Sequence, residues 1–243
     1  MKKIVKFLTA LGAVITLPTL AEYRTFTDTD ITYGIFHAKP EEVRLHWRDG
    51  KGQNYNSLTN LKRALQKDYQ IKMLMNAGIY SKHNAPAGLW IENGQELNPL
   101  NNKRGKGNFH IQPNGVFALV GKTAYILTTK AYQQKQLKPT FAMQSGPMLL
   151  IEGKINRQFR AGLESYHKRN AVCLDKKNRL FFILTTSGKP NLYTFSQGLQ
   201  KIGCYHALYL DGTISNWYIP DSFSSFHWKH FVGMISVTEL DKK

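Results

Sequence analysis

Three short turns carry the side chains best suited to chemistry in this chain: Met75-Asn76-Ala77-Gly78-Ile79-Tyr80, Gln144-Ser145-Gly146-Pro147 and Leu210-Asp211-Gly212. Each ends an apolar run with one or two polar groups and a glycine. Such a turn reads as the end of a buried strand delivering a polar group to a rim, where glycine lets the backbone approach a ligand closely. Three rims of this kind point to one composite pocket holding Asn76, Gly78, Ser145, Gly146, Asp211 and Gly212. Asp211 follows Ala207-Leu208-Tyr209-Leu210 directly, so its carboxylate is expected at the edge of the core. An aspartate that caps its own turn is the competing reading. Arg169-Asn170 stands at the entrance to apolar Ala171-Val172. A guanidinium there can hold a phosphate bidentately or pair with Asp211. Asn76 offers a donor and an acceptor for a sugar hydroxyl, and Ser145-Gly146 offers backbone N–H groups to an anion.

Other chemistries fit less well. The eight histidines show no metal-ligand spacing, so no metal centre is expected. Ser145 lies in Gln-Ser-Gly-Pro rather than Gly-x-Ser-x-Gly, and Pro147 would break the helix that a nucleophile elbow needs. Phosphate-loop and dinucleotide fingerprints are absent, and no cofactor is expected. Glu92, beside Asn93-Gly94, reads as a solvated turn residue or as a second catalytic carboxylate. The aromatic segment Trp217, Tyr218, Phe223, Phe226 and Trp228 reads first as buried core or packed lid and second as a sugar-stacking platform.

These groups must be positioned by strands. Val43, Leu45 and Trp47 alternate with polar neighbours as in a half-buried strand, and Ser57 precedes Leu58, Leu61 and Leu65 at helical spacing, predicting a capped helix over 57–67. Ile71 to Met75 is an apolar run into the first rim. Asn93-Gly94 predicts a hairpin between 88–92 and 95–97. Gly121-Lys122, Glu152-Gly153 and Asp175 to Asn178 turn further pairs, Leu192 to Lys201 predicts a second helix, and strands are expected over Ala207 to Leu210 and Phe231 to Val237. Lys103 to Lys106 reads as a mobile loop. Together the pattern gives an α+β single domain with a large, mainly antiparallel sheet and a few flanking helices.

Lys2, Lys3 and Lys6, the apolar stretch Phe7 to Leu17 and the small residues before Glu22 predict a signal peptide over 1–21, with the domain over 22–243. A periplasmic or secreted protein is expected, with no stable membrane insertion after cleavage. The formal charge is +17, spread in ones and twos without a long basic run. This charge suits anionic glycans, phosphates or lipid headgroups rather than nucleic acid. Cys173 and Cys204 are open to two readings, a disulfide or two buried thiols.

The ordered set Asn76-Ala77-Gly78-Ile79-Tyr80, Ser145-Gly146-Pro147, Arg169 and Leu210-Asp211-Gly212 resembles the phosphodiester glycosidase domain family, which includes uncovering-enzyme-like catalytic domains. The runs Pro86-Ala87-Gly88-Leu89-Trp90-Ile91-Glu92-Asn93-Gly94, Gly107-Asn108-Phe109, Pro113-Asn114-Gly115-Val116-Phe117 and Arg169-Asn170 resemble its exported bacterial branch. The resemblance spans roughly Phe36 to Val237. Ala77 departs from the family's glycine at that place, and Thr213-Ile214 follows where the family pattern has further glycine. The resemblance implies hydrolysis of a sugar-1-phosphate diester at the glycosidic bond, with Asp211 as base or electrostatic stabiliser and Arg169 holding the phosphate. Asn76, Gly78, Ser145, Gly146, Asn170 and Gly212 would bind the substrate. The alternatives are a non-catalytic envelope protein that binds an anionic or phosphorylated glycan, and a phosphodiesterase cutting phosphorus–oxygen bonds, which ordinarily uses metal ions.

Overall fold

The computed structural model describes residues 22–162, 164–220, 222 and 230–241. The expected leader and Phe223, Phe226 and Trp228 lie outside the described residues. The described chain opens with a hairpin of β1 (Tyr23–Asp28) and β2 (Ile31–Ala38), then runs through β3 (Val43–His46), α1 (Leu58–Leu65) and β4 (Tyr69–Asn76). Next come β5 (Trp90–Glu92), β6 (Gln95–Asn98), β7 (Gly115–Val120), β8 (Thr123–Thr128), α2 (Thr129–Lys135), β9 (Phe141–Ser145), β10 (Met148–Ile151) and β11 (Lys154–Ile155). The last part holds β12 (Asn170–Asp175), β13 (Leu180–Ser187), α3 (Leu192–Ile202), β14 (Cys204–Asp211), β15 (Trp217–Tyr218) and β16 (Met234–Leu240).

The fold is α+β and its described strand pairings are antiparallel. The strands divide into three sheets, in the orders β1-β2-β13-β12-β14-β10-β11, β15-β4-β16-β3 and β6-β5-β9-β7-β8. One continuous twisted sheet of so many strands would curl or split, and splitting lets the sheets share a core. Met75, Trp90, Phe117, Met143, Leu208 and Ile235, drawn from all three sheets, are buried in that core. Strand periodicity sorts β14 between two layers: Leu208 and Leu210 enter the shared core, while Ala207 and Tyr209 pack with Phe195 and Leu199 of α3.

Local signals set the helix ends. Ser57 Oγ accepts from the Asn60 N–H at 3.1 Å to start α1, and Asn191 Oδ1 accepts from the Thr194 N–H at 2.8 Å to start α3. Gly203, in the left-handed region, ends α3 and starts the turn into β14. Cys173 and Cys204 form a disulfide between β12 and β14, with Cα atoms 5.8 Å apart. The same two strands reach the candidate site at their opposite ends through Asn170 and Asp211, which face each other in register.

Candidate functional site

Four strand ends from three sheets meet at one rim. Asn76 ends β4 of the four-stranded sheet, Ser145 ends β9 of the five-stranded sheet, and Asn170 and Asp211 open β12 and end β14 of the seven-stranded sheet. Asn170 is the clamp. Its Nδ2 donates to Asn76 O and Asn76 Oδ1, each at 3.1 Å, and its Oδ1 accepts from the Asp211 N–H at 2.8 Å. Asn76 Oδ1 also accepts from the Asn216 N–H at 2.8 Å, and Ser215 Oγ donates to Asp211 O at 2.9 Å. Ser145 Oγ donates to Leu210 O at 3.4 Å. Asn76, Ser145, Asn170, Ser215 and Asn216 are all buried. Low dielectric strengthens such a network, and breaking one member strands another. These side chains therefore spend their polar atoms on one another and fix the turn that bears Asp211.

Asp211 caps that turn. Its Oδ1 accepts from the N–H groups of Gly212 (2.5 Å), Thr213 (2.9 Å) and Ile214 (3.5 Å). Three backbone donors are thus gathered around a carboxylate of the protein itself. Ser145 is extended strand backbone in register with Gly115, and Gly146 forms the bend after it, where a Cβ would come within 2.7 Å of Asn114 Cβ. Gly78 joins the first two rims. A Cβ there would lie 2.8 Å from both Ser145 Cβ and Oγ, so glycine is what allows the close approach.

Arg169 corrects the sequence expectation most sharply. Its side chain is fully buried, with Nε donating to Pro190 O at 2.7 Å, Nη1 donating to Tyr209 Oη at 2.8 Å and Nη2 donating to Ser165 O and, at 3.3 Å, Ser165 Oγ. It neither pairs with Asp211 nor presents an open fork to a phosphate. Burial pulls its pKa down and contact with Tyr209 opposes that pull. A guanidinium nevertheless stays charged, and this one carries its charge directly beneath the rim. A Cβ on Gly212 would sit 3.3 Å from Arg169 Nη1 and only 2.1 Å from Tyr209 Oη.

Above this floor lies a cleft of about 340 Å³, lined by Ile79, Tyr80, Asn108, Tyr209, Asp211, Gly212, Thr213 and Ile214. Asp211 is the only carboxylate among those lining residues. Larger hollows of about 520 Å³ beside Pro113 and Asn156 and about 550 Å³ beside Lys176 and Tyr205 gather no comparable set of strand-end groups. Glu92 is neither solvated nor in the cleft: its Oε1 accepts from the Trp47 N–H at 2.8 Å and Trp90 Nε1 at 2.6 Å, and burial raises its pKa. It brackets β3 to β5. Trp217 is buried in β15 beside Met75, with its ring edge-on to Tyr23, which is a packing role. Among the described residues, no three His, Cys, Asp or Glu side chains gather to hold a metal ion.

Sequence reasoning left Tyr209 inside an apolar run and Asn108 and Tyr80 as mere motif letters. Tyr209 was findable: residues two apart in a strand share a face, so Tyr209 accompanies Asp211. Burial raises its pKa, and the Arg169 contact acts against that. Tyr80 is also raised, first by burial and then by the Asp211 charge.

Comparison with known proteins covers this same region. The family model described as phosphodiester glycosidase matches residues 69–222, which include all the strand ends and the cleft. Uncharacterized protein YigE of Escherichia coli strain K12 is 36% identical over 215 residues, covering 87% of this chain and 84% of that protein. Among solved structures, the zebrafish N-acetylglucosamine-1-phosphodiester alpha-N-acetylglucosaminidase catalytic domain, auto-inhibited by its pro-peptide, superposes with a TM-score of 0.65 at 15% identity, covering 89% of this chain and 81% of that one. A hypothetical protein from Synechocystis gives a TM-score of 0.56 at 13% identity, covering 89% of this chain and 61% of that one. At such identities the two structures speak for the fold. With the family model spanning more than half of the sequence, this chain belongs to the phosphodiester glycosidase family.

Proposed function

We propose that this protein is an exported hydrolase that cleaves a sugar-1-phosphate diester at the glycosidic bond. The observation that carries the reading is the pairing of one cleft-lining carboxylate, Asp211, with a buried guanidinium, Arg169, just below the same floor. The two charges are held apart by separate hydrogen-bond sets, so each can act on a different part of a bound molecule. In the proposed step the bond between the anomeric carbon and the phosphate oxygen breaks, and its electron pair leaves with the phosphate. Water supplies the new oxygen at the anomeric carbon and gives up a proton to Asp211 or to solvent. A positively charged sugar forms beside Asp211 and a phosphate dianion forms above Arg169, the charge pattern that fixed dipoles and ions stabilise best.

In this reading Asp211 is the catalytic group. Arg169 acts from beneath through its charge, which differs from the direct phosphate contact expected from sequence. Asn76, Ser145 and Asn170 position the rim, Gly78 and Gly146 allow its packing, and Gly212 lets the substrate reach the floor. Export is supported by the leader pattern at 1–21 and by the disulfide, which suits an oxidising compartment. The experiment is a screen of the purified protein against a panel of sugar-1-phosphate diesters, with Asp211→Asn as control. Turnover by the parent and not by the variant is expected. Saturable glycan binding without turnover would replace the enzyme with a binding protein.

A further inference from the structure

The part of the cleft that follows the first rim carries a side chain that the proposed step does not use. Beyond Gly78 the chain turns through a short hairpin in which Tyr80 bridges Pro86, the Ser81 N–H donates to Ala85 O at 2.8 Å and the Ala87 N–H donates to Ile79 O at 3.1 Å. Two neighbours pin this hairpin: Asn98 Nδ2 donates to Pro86 O at 3.2 Å and Trp47 Nε1 donates to Asn84 O at 3.3 Å. Tyr80 is thus held on a braced backbone. The residue is half-buried against the edge of the shared core, and it lines the cleft together with Asp211. Unlike that of the buried Tyr209, the Tyr80 hydroxyl is only partly withdrawn from water, and it makes no hydrogen bond among the described residues. A tyrosine with its ring on apolar packing and its oxygen wet is well suited to a polar ligand.

Its location decides what this hydroxyl meets. The Asp211 carboxylate is near enough to add to the burial that raises the Tyr80 pKa, yet the two do not bond. A phosphate brought to that side would face a like charge, whereas a neutral sugar hydroxyl can both donate to a phenol and accept from it. We propose that the Tyr80 hydroxyl hydrogen-bonds one hydroxyl of the sugar ring, which makes Tyr80 a determinant of the sugar that the cleft accepts. The inference rests on the glycosidase reading and deepens it by naming a residue that contacts the sugar. The braced hairpin presents the group before substrate arrives, so little ordering is lost on binding. A sugar without a hydroxyl at that place leaves the Tyr80 oxygen to water, so the discrimination is modest.

The test uses the best diester substrate of the parent and its monodeoxy analogues, each lacking one sugar hydroxyl. Tyr80→Phe removes only an oxygen that bonds no described residue, so its melting temperature should match the parent's. Its kcat/KM on the full diester should fall about 3- to 10-fold, the usual worth of one neutral hydrogen bond. On one monodeoxy analogue parent and variant should agree within about twofold, while on the others the full loss should remain. Inorganic phosphate should shift the melting temperatures of parent and variant alike. Parent-like kcat/KM in the variant, the same loss on every analogue, a lowered melting temperature or a smaller phosphate shift would each overturn the proposal. If the parent turns over no diester, the glycosidase reading fails on its own account. Calorimetric titration of both proteins with the sugar 1-phosphates of the panel then decides for Tyr80: weaker binding by the variant upholds the contact, and equal or absent binding overturns it.

Discussion

Asp211 lines the cleft and Arg169 is buried beside Gly212, and the protein keeps the two from pairing with each other. Asp211 is tied to three backbone N–H groups of its own turn, and Arg169 to Pro190, Ser165 and Tyr209. Asp211→Asn preserves the acceptor that holds this turn while removing the charge. It should cost about 10²- to 10³-fold in kcat. The melting temperature should stay close to the parent's, read by circular dichroism. Parent-like turnover would remove Asp211 from the chemistry. Asn170 has the opposite profile. Its truncation in Asn170→Ala strands the Asp211 N–H and one acceptor of Asn76 inside the protein, so urea unfolding should show a loss of about 1–3 kcal/mol. A loss of activity without a loss of stability would mean that Asn170 contacts substrate rather than building the rim.

The elements make the next set of predictions. Cys173 and Cys204 close a separation of 31 residues between β12 and β14, whose other ends carry Asn170 and Asp211. Replacing both with Ala should cost about 3–4 kcal/mol by loop entropy. Intact mass after alkylation of the unfolded, unreduced protein should find no free thiol; two alkylated thiols would refute the bond. At the seam of β3 and β16, His46 Nε2 meets Ser236 Oγ at 2.8 Å, and withdrawal from water, with Arg44 nearby, holds its pKa down to about 4 against an ordinary 6.5. Between these values the unfolded chain takes up a proton that the folded ring refuses. Its contribution to stability is therefore complete above about pH 6.5 and is lost as pH falls towards 4. The melting temperature should decline across that window, and His46→Gln should flatten the decline. An unchanged slope would show that other groups control it.

Much of this layer was legible in the sequence. The Ser57 cap and the leucines after it gave α1, and the Asn93-Gly94 turn, with both residues at positive φ, gave the β5–β6 hairpin. The first hairpin of β1 and β2 was not read, because Gly34 interrupts its apolar pattern; a side chain there would strike Trp217, a partner distant in sequence. Helix α2 is short and its only buried residue is Thr129, so it left no apolar stripe to find. At the site, the sequence named the strand ends that meet. It could not reveal the direction of the Arg169 side chain, which is set by Ser165, Pro190 and Tyr209 from separate parts of the chain. The division into three sheets was hidden for the same reason: strand order is decided by pairings across long separations, which local periodicity does not encode.

For the whole molecule, convergence of three sheets explains why one rim collects residues from 76 to 216. Each sheet contributes a strand end, and the shared core holds those ends in register. Family membership is consistent with that plan, since the matched span contains all the strand ends, while β1, β2, β3 and β16 lie outside it and complete two of the sheets. Among the described residues, no helix is long and apolar enough to cross a membrane. The net charge of the full sequence, +17, would suit attraction of the anionic substrate proposed above, and such steering weakens with salt because charges are screened beyond about 8 Å at physiological ionic strength. In the proposed mechanism water attacks the anomeric carbon beside Asp211. It is tested most directly by hydrolysing a sugar-1-phosphate diester in oxygen-18 water and weighing both products. The label is expected in the sugar with the phosphate unlabelled, and turnover is expected to be lost in Asp211→Asn; label in the phosphate would rule out attack at the anomeric carbon.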